Sequence, residues 1–417
     1  MYHERFCEEP FWQGTRSSVF TGTGLHPDAY TNTEFFEVEQ DRLYERAWVV
    51  VGCVPEVADV GRLLVRRVGQ RSVIVVRGAD GKVRAFLNSC RHRGTELAEA
   101  DCSVNGTIRC PYHRWGYGLD GQLRATPFFD EVERPDFDRA NFGLFEVRVA
   151  TWGPLIFVCL SDATPPLLAW LGDLPQRLAG YKLDEWSLRR EQTLEIEANW
   201  KLITENYQEY YHLTWIHPEL SKVSRVEDHS RFQGPGMYVG QTTTPVSSGD
   251  NGIWLSLPQA GDLDGSDSVS GRHIALFPNV MMSVLPNHLA VLRIEPTAPG
   301  HTRETLSLLL PPDAVTGGES SVAQADFDET AAFWIDLNSE DIDICERGQR
   351  GLSRGAVPPG PLAPRFEEPL NRFHNMVADM FCVDDLAGYL PPRGDCPGDD
   401  ERYGTSTNPN PPSIDVG

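Results

Sequence analysis

The chain has 417 residues, of which 40% are hydrophobic and 10% aromatic, enough to bury a sizeable core in two domains. Its net charge of −23 argues against nucleic acid as a partner, because binding phosphates needs a basic surface. No uninterrupted apolar run is long enough to cross a bilayer. The nine cysteines are irregularly spaced and no secretory signal pattern begins the chain, which predicts a cytoplasmic protein without a disulfide framework.

Four regions follow one another along the chain. Residues 1–45 are predicted to end in a helix, within TNTEFFEVEQDRLYERAW. Residues 46–160 indicate short strands separated by turns, among them LLVRRV and SVIVVRG. Residues 161–390 mix strands with longer helices. Residues 391–417 are rich in Pro, Gly, Asp and Asn, which predicts an irregular C-terminal tail.

Two short segments of the second region contain both a thiol and an imidazole. Cys90 and His92 form C-x-H, and after seventeen residues Cys110 and His113 form C-x-x-H. Such spacing indicates a metal site. Because each segment contributes one thiol and one imidazole, the pattern favours a two-iron cluster, with thiolates on one iron and imidazoles on the other. Structural zinc and four unrelated buried side chains are the alternatives.

A second group of candidate ligands lies in NWKLITENYQEYYHLTWIHPEL, which is predicted to be helical. On a continuous helix Glu205, Glu209 and His212 share one face, and Pro218 ends or bends the helix at His217. Two histidines and a carboxylate that leave open positions are the ligands of non-haem Fe(II) oxygenases. The alternative is a pair of structural histidines; the cluster motif about a hundred residues earlier favours iron.

Both motifs resemble those of one protein family. NSCRHRG and CPYHRWGYGLDGQL resemble the cluster-binding loops of Rieske [2Fe–2S] domains, and the helical segment resembles that of Rieske non-haem iron oxygenase alpha subunits. Arg114 and Gly116 stand where Gly and Thr are more usual in the family. The resemblance implies an α+β fold, in which an all-β Rieske domain accompanies a catalytic domain with a large antiparallel β-sheet covered by helices.

The resemblance also implies which residues bind the cluster. Cys90 and Cys110 match the ligands of one iron, and His92 and His113 match those of the other. Trp115 matches a tryptophan that packs beside the cluster in the family.

For the mononuclear Fe(II), the resemblance implies His212, His217 and a distant carboxylate in FWIDLNSEDIDICERGQRGL as ligands. Asp341 is the match, and the alternatives are Asp343 and Asp336. Glu209 takes the position of the family's bridging acid, which links a cluster histidine of one subunit to an iron histidine of the next. It could instead ligate iron directly or be a solvated residue.

The glutamate at position 209 and the shortened spacing before it resemble the choline, carnitine and betaine branch. This implies a terminal oxygenase that uses O2 to hydroxylate or oxidatively N-demethylate a small molecule, with quaternary ammonium compounds as the indicated class. An aromatic-ring hydroxylating dioxygenase and a Rieske electron carrier without oxygenase chemistry are the alternatives. Candidates for an aromatic cage around the cation, each with ordinary packing as its alternative role, are Tyr207, Tyr211, Trp215, Trp254 and Phe277.

The expected partners follow from the same comparison. No dinucleotide-binding glycine motif follows a predicted strand, so electrons from NAD(P)H are expected through a separate flavin/iron–sulfur reductase or a ferredoxin. The family's head-to-tail rings of three imply a homotrimer, and the branch implies that no beta subunit accompanies it. Neither nucleic acid nor a membrane is expected as a partner. We assign His229 and His273 structural roles.

Overall fold

The computed structural model describes residues 3–129, 134, 136–222, 224–244, 257, 259–260, 263, 265–315, 324–355, 357–396 and 402. The chain forms two compact units, of which one is Gln40–Thr164 and the other combines Met1–Glu39 with Pro165–Gly417. None of the described helices is long and apolar enough to span a membrane.

The smaller unit is built from β-strands, as predicted. Runs rich in valine and isoleucine suit the pleated, half-buried surface of a sheet. Its strands are β1 Val49–Cys53, β2 Arg62–Val68, β3 Arg71–Arg77, β4 Val83–Leu87, β5 Cys102–Ser103, β6 Thr107–Arg109, β7 Gly116–Gly118, β8 Leu123–Ala125, β9 Glu146–Trp152 and β10 Leu155–Cys159. They form a seven-stranded sheet in the order β1-β10-β9-β4-β3-β2-β5 and a three-stranded sheet in the order β6-β7-β8.

One hydrophobic core joins the two sheets of this unit. Ile74 and Phe86 of the large sheet and Ile108 of the small sheet are buried in it. Cys90 and Cys110 belong to the same core. Each fully buried aliphatic or aromatic side chain contributes about 1.5–3 kcal/mol, so packing holds the two cysteine-bearing loops in place.

The larger unit contains one antiparallel sheet of seven strands, which confirms the predicted catalytic-domain architecture. The sheet has the order β11-β17-β16-β15-β14-β13-β12. Its strands are β11 Ser187–Ile196, β12 His229–Phe232, β13 Tyr238–Thr243, β14 Gly271–Leu276, β15 Val280–Val284, β16 Leu289–Ala298 and β17 His301–Leu310.

Helices complete the larger unit. They are α1 Gln13–Arg16, α2 Asp28–Thr31, α3 Thr33–Glu39, α4 Leu167–Leu171, α5 Leu174–Arg177, α6 Trp200–Gln208, α7 Leu213–Ile216, α8 Pro312–Val315, α9 Gln324–Arg354 and α10 Pro364–Cys382. The long helix α9 packs on the sheet through Phe327, Ala331 and Trp334, which share a core with Leu306 and Leu308 of β17. Those three helical positions repeat at i, i+4 and i+7, so the same face of α9 continues to residues 338 and 341.

The start of helix α6 is fixed by a cap and a buried ion pair. Asn199 caps the helix, since its side chain accepts a hydrogen bond from the Lys201 N–H at 2.9 Å. The fully buried Lys201 ammonium donates to Glu39 Oε1 at 2.5 Å, and Trp200 Nε1 donates to Glu39 Oε2 at 2.9 Å. Removing one partner of such a pair typically costs about 3–5 kcal/mol. The N-terminus of α6, the helix that precedes the predicted iron ligands, is therefore held firmly in place.

Candidate metal centres and active site

Two turns of the same shape carry the predicted cluster ligands. In the first turn, the Gly94 N–H donates to the Cys90 carbonyl at 2.9 Å, and in the second, the Arg114 N–H donates to the Cys110 carbonyl at 3.1 Å. The fourth residue after each cysteine has a positive φ, 74° at Gly94 and 60° at Arg114. Glycine adopts this conformation without steric cost. The structure thus explains why a glycine is usual at position 114, and why Arg114 is strained.

The four predicted cluster ligands come together in the smaller unit. Cys90 and Cys110 are 3% and 1% exposed, and the ring centroids of His92 and His113 are 4.7 Å apart. His92 Nδ1 is buried and has no hydrogen-bond partner in the described part of the chain. Buried polar atoms are nearly always paired, so this orphaned nitrogen suits a cluster iron. Burial and the charges of His113 and Arg93 lower the pKa of His92, which favours its neutral, metal-binding form.

Two aromatic residues border these ligands. Trp115 stacks on the His92 ring, with centroids 4.7 Å apart and planes 10° apart, in the neighbourhood that the resemblance predicted for it. The Tyr117 hydroxyl accepts a hydrogen bond from the Arg91 N–H at 3.0 Å and lies 3.3 Å from Cys90 Sγ. Its own O–H can therefore donate to the sulfur. Tyr117 was missed from the sequence, and its place on β7 beside the first loop identifies it.

The larger unit gathers His212, His217 and Asp341, each with a ligand atom within 4.8 Å of the others. Asp341 Oδ1 lies 2.9 Å from His217 Nε2 and 3.6 Å from His212 Nε2. Two imidazoles and one carboxylate are a donor set that suits Fe(II). Of the alternative third ligands, Asp343 forms an ion pair on the exposed side of α9, and Asp336 lies outside the group.

The other nitrogen of each histidine contacts a carboxylate. Glu209 Oε1 is 2.5 Å from His212 Nδ1, and Glu340 Oε2 is 2.7 Å from His217 Nδ1. Burial opposes charging of the His217 ring, but Asp341 and Glu340 outweigh it and raise its pKa. Carboxylates in this position fix the orientation of a metal-binding imidazole. Both rings are thereby held with Nε2 toward Asp341.

The backbone between the two groups of ligands differs from the continuous helix that the sequence predicted. Helix α6 ends at Gln208, and Glu209 is extended with φ −121° and ψ 160°. The side chain of Glu209 instead accepts the His212 N–H at 3.2 Å, a local hydrogen bond that competes with helix. The prediction that Glu205, Glu209 and His212 share one helix face is therefore wrong. Glu205 has a different partner, and its carboxylate accepts a hydrogen bond from the Tyr30 hydroxyl at 2.7 Å.

The predicted end of the next helix is confirmed, but two residues that contact the iron ligands were missed. Helix α7 ends at Ile216, before His217, as Pro218 predicted. Asn206 was missed, and its amide donates to Asp341 Oδ1 at 2.6 Å. Glu340 was also missed, although an acid directly before Asp341 was a usable signal.

A cavity of about 760 Å³, including its open mouth, adjoins these ligands and is lined by Glu209, His212, His217 and Asp341 among others. Its polar wall is a hydrogen-bonded chain, in which Ser283 Oγ lies 2.7 Å from the Tyr207 hydroxyl and 2.9 Å from His273 Nδ1. Burial lowers the pKa of His273 to about 3, so this imidazole is neutral.

The structure does not bring the candidates for an aromatic cage together. Of the four that it describes, only Tyr207 lines the cavity, and the fifth, Trp254, lies outside the described residues. Because the chain leaves the helix at Gln208, Tyr211 and Trp215 point outward and are 51% and 61% exposed. Phe277 is buried against Phe373, with ring centroids 5.9 Å apart. The aromatic residues that do line the cavity, and that sequence reasoning missed, are Tyr210, Phe333 and Trp334. His229 and His273 also line it.

Comparisons with known proteins agree with this arrangement. Residues 183–382 match the family described as ring hydroxylating alpha subunit (catalytic domain), and residues 47–136 match the Rieske [2Fe-2S] domain. A glycine betaine monooxygenase oxygenase subunit from Chromohalobacter salexigens is 31% identical over 384 residues, which cover 84% of this chain and 84% of the relative. The alpha subunit of an N,N-dimethyl phenylurea N-demethylase from Sphingobium sp. (strain YBL2) is 29% identical over 286 residues, which cover 63% and 62%.

A solved structure shows the same fold. It is a quaternary ammonium Rieske monooxygenase described in terms of carnitine oxidation and inter-subunit electron transfer. Its TM-score to this chain is 0.74 at 23% identity, with 87% of this chain and 97% of that chain covered.

The matched domains carry the expected cofactors, a Rieske [2Fe–2S] cluster and a mononuclear iron. Proteins of this kind are oxidoreductases that use O2 and receive electrons from a reductase partner. The chain belongs to the Rieske non-haem iron oxygenases, in which it is an oxygenase alpha subunit.

Proposed function

We propose that this chain is the oxygenase component of a monooxygenase that oxidises an N-methyl group of a small amine or quaternary ammonium compound. The convergence of two histidines and one aspartate at the edge of a cavity carries the proposal. Glycine betaine and N,N-dimethyl phenylureas, named for two relatives, both contain a nitrogen that carries methyl groups. Hydroxylation of such a methyl group gives an N-hydroxymethyl product, which releases formaldehyde and leaves the demethylated amine.

In this proposal the chain holds two metal centres. The cluster is bound by Cys90, Cys110, His92 and His113, and the mononuclear iron is bound by His212, His217 and Asp341. When bound, the cluster supplies electrons and the mononuclear iron supplies the oxidising chemistry with O2.

The chain's own residues orient the ligands and the substrate. Glu209 and Glu340 fix the two imidazoles through their Nδ1 atoms, and Asn206 fixes the carboxylate of Asp341. The Tyr207 and Ser283 hydroxyls offer hydrogen bonds to an uncharged polar group of the substrate. Leucine and aromatic side chains that line the same cavity exclude water from the reacting methyl group.

We also propose a head-to-tail homotrimer in which Glu209 is the bridging acid, with a flavin/iron–sulfur reductase or a ferredoxin as the electron donor. The inter-subunit electron transfer described for the quaternary ammonium monooxygenase supports this assembly. Within the chain, Glu209 is already bonded to His212, so it needs one further contact from a partner's cluster histidine to connect two centres.

The test is a single turnover of reduced, iron-replete protein with ¹⁸O2 and a pool of N-methyl amines, quaternary ammonium compounds and aromatic acids, read by mass spectrometry. We expect an amine that gains labelled oxygen or loses a methyl group. With iron kept in excess, so that weaker binding at His212 does not empty the site, Glu209→Gln should give little product. Glu219→Gln, at an exposed position of the same segment, should behave as the parent protein. Oxidation of an aromatic acid alone would overturn the proposal.

A further inference from the structure

The charged side chains that line the cavity, among the described residues, are acidic. In the part of the chain that the structure describes, no lysine or arginine lines the cavity, whereas Glu209 and Asp341 do. The residues outside the described ranges include no lysine or arginine either.

The two histidines of the cavity that are not predicted iron ligands do not supply a positive charge either. Burial lowers the pKa of His273 to about 3, and it also lowers the pKa of His229. His273 contacts the neutral Ser283 hydroxyl at 2.9 Å, and His229 contacts the Arg225 carbonyl at 2.8 Å. Both rings therefore serve as neutral hydrogen-bonding groups.

A bound ferrous ion does not reverse this balance. Its two positive charges are faced by the carboxylates of Asp341, Glu209 and Glu340, all within contact distance of the two histidines. A substrate carboxylate would thus enter without a cationic partner. Burying an unpaired carboxylate is among the most costly changes of environment for a polar group.

The apolar side chains that line the cavity favour a substrate with an apolar body. Phe333, Leu337 and Asp341 lie at i, i+4 and i+8 on α9 and all line the cavity. Leu292 of β16 and Leu306 of β17, which pair in register, also line it. At 1.5 Å per residue, the helix segment from Phe333 to Asp341 spans about 12 Å, so apolar side chains of α9 line the cavity up to about that distance from Asp341.

We propose that the substrate is a cationic or neutral N-methyl amine that has an aryl or branched alkyl body and no free carboxylate. This rests on the proposed function and narrows its substrate class. Zwitterions such as glycine betaine and carnitine are excluded from this class. In a proposed substrate, the nitrogen lies at the iron ligands and the apolar body lies along α9. One uncharged polar group of the substrate can bond to the wall formed by Tyr207, Ser283 and His273.

The test measures binding to the oxidised, iron-replete holoenzyme by calorimetry for two matched pairs. N,N-dimethylbenzylamine is compared with its para-carboxylate, and choline is compared with glycine betaine. We expect the carboxylate-free member of each pair to bind at least about 30-fold more tightly, because no lysine or arginine among the described lining residues pairs with the buried charge. Equal or tighter binding of the carboxylates would overturn the inference.

Two substitutions at one position of the protein test the same discrimination against carboxylates. Leu292→Lys introduces a cation into the apolar wall, and Leu292→Gln introduces a polar side chain without a charge. We expect Leu292→Lys to reduce the discrimination against the carboxylates by roughly 10-fold or more, and Leu292→Gln to leave it within about 3-fold of the parent value. An iron-loaded Leu292→Lys protein with unchanged discrimination would contradict the inference.

Single turnover of the same four compounds separates the two proposals. Product from the carboxylates alone would overturn the inference and leave the proposed function standing. No binding and no product from any of the four compounds, with both metal centres loaded, would overturn both.

Discussion

Glu340 and His217 form a carboxylate–imidazole pair, with Oε2 2.7 Å from Nδ1, while the next residue, Asp341, lies 2.9 Å from Nε2 of the same ring. Two consecutive residues of α9 therefore contact opposite nitrogens of one imidazole. Because α9 packs on the seven-stranded sheet through its earlier turns, the sheet fixes both contacts at once.

Replacing Glu340 by glutamine should weaken iron binding without abolishing it. The amide keeps the shape but removes the charge that orients and polarises the His217 ring, and such partners are typically worth roughly 10–100-fold in metal affinity. Iron retained after dialysis against a graded series of chelator concentrations measures the effect. The control is Glu329→Gln, at an exposed position of the same helix, which should retain iron as the parent does. Equal retention by both variants would contradict the pair's role.

Asp341→Asn should lose the mononuclear iron, whereas Asp343→Asn should keep it. The Asp341 carboxylate reaches both histidines, while Asp343 faces solvent in an ion pair with Arg347 at 2.7 Å. Metal analysis gives three irons per chain for an intact protein and two for a protein that holds only the cluster. Loss of iron from Asp343→Asn with retention in Asp341→Asn would reverse the assignment of the third ligand.

The sequence was most informative where ligands are neighbours along the chain. Cys90 with His92 and Cys110 with His113 are joined by tight turns, so spacing alone brings each pair together. Asp341 lies 124 positions after His217, and only the resemblance to a family could select it from the acids of α9.

The predictions that were wrong depend on contacts between residues, which a local sequence pattern does not show. The helical pattern of ENYQEYYHL was interrupted at Glu209, whose side chain bonds to the backbone ahead of it. This one break turned Tyr211 and Trp215 away from the cavity. Phe333 and Trp334 line the cavity only because α9 returns across the sheet, which no local pattern near the histidines could reveal.

Tyr117→Phe should lower the reduction potential of the cluster. The Tyr117 hydroxyl lies 3.3 Å from Cys90 Sγ, and a hydrogen bond to a cluster sulfur stabilises the reduced form. A decrease of some tens of millivolts, roughly, is expected from losing one such bond. Protein-film voltammetry measures it, with Tyr112→Phe as the control, since the Tyr112 side chain is largely exposed. An unchanged potential in Tyr117→Phe would exclude the hydrogen bond to sulfur.

Arg114→Gly should stabilise the smaller unit. Arg114 has φ 60°, a conformation that costs a non-glycine residue about 1–2 kcal/mol, and part of this gain is offset by the greater freedom of glycine in the unfolded chain. A net gain of up to about 1 kcal/mol is expected, seen as a higher thermal midpoint of the holoprotein. Arg93→Gly, in the matching turn but without a positive φ, should lower the midpoint instead. A lower midpoint for both variants would show that the backbone at Arg114 is not strained.

Glu304→Gln should remove a loss of stability that the parent protein shows as pH rises. Glu304 is fully buried, and its Oε1 accepts a hydrogen bond from the Asn338 amide at 2.6 Å. Burial raises its pKa from 4.5 to about 7, the Asn338 bond opposes this, and the Asp341 charge adds to it. Between those two pH values the unfolded chain has released the proton that the folded protein still holds. The contribution of Glu304 is therefore fully present below pH 4.5 and is lost as pH rises to about 7.

The difference corresponds to about 3 kcal/mol, since each pKa unit is worth about 1.4 kcal/mol. Glutamine resembles the protonated acid and can still accept the Asn338 hydrogen bond. Thermal midpoints of the variant and parent should thus differ little at pH 5 and clearly at pH 8, with the variant more stable. Glu195→Gln is the matched control on the neighbouring strand, where the carboxylate is largely exposed beside Arg303. A constant difference between Glu304→Gln and the parent at both pH values would show that Glu304 does not titrate in this range.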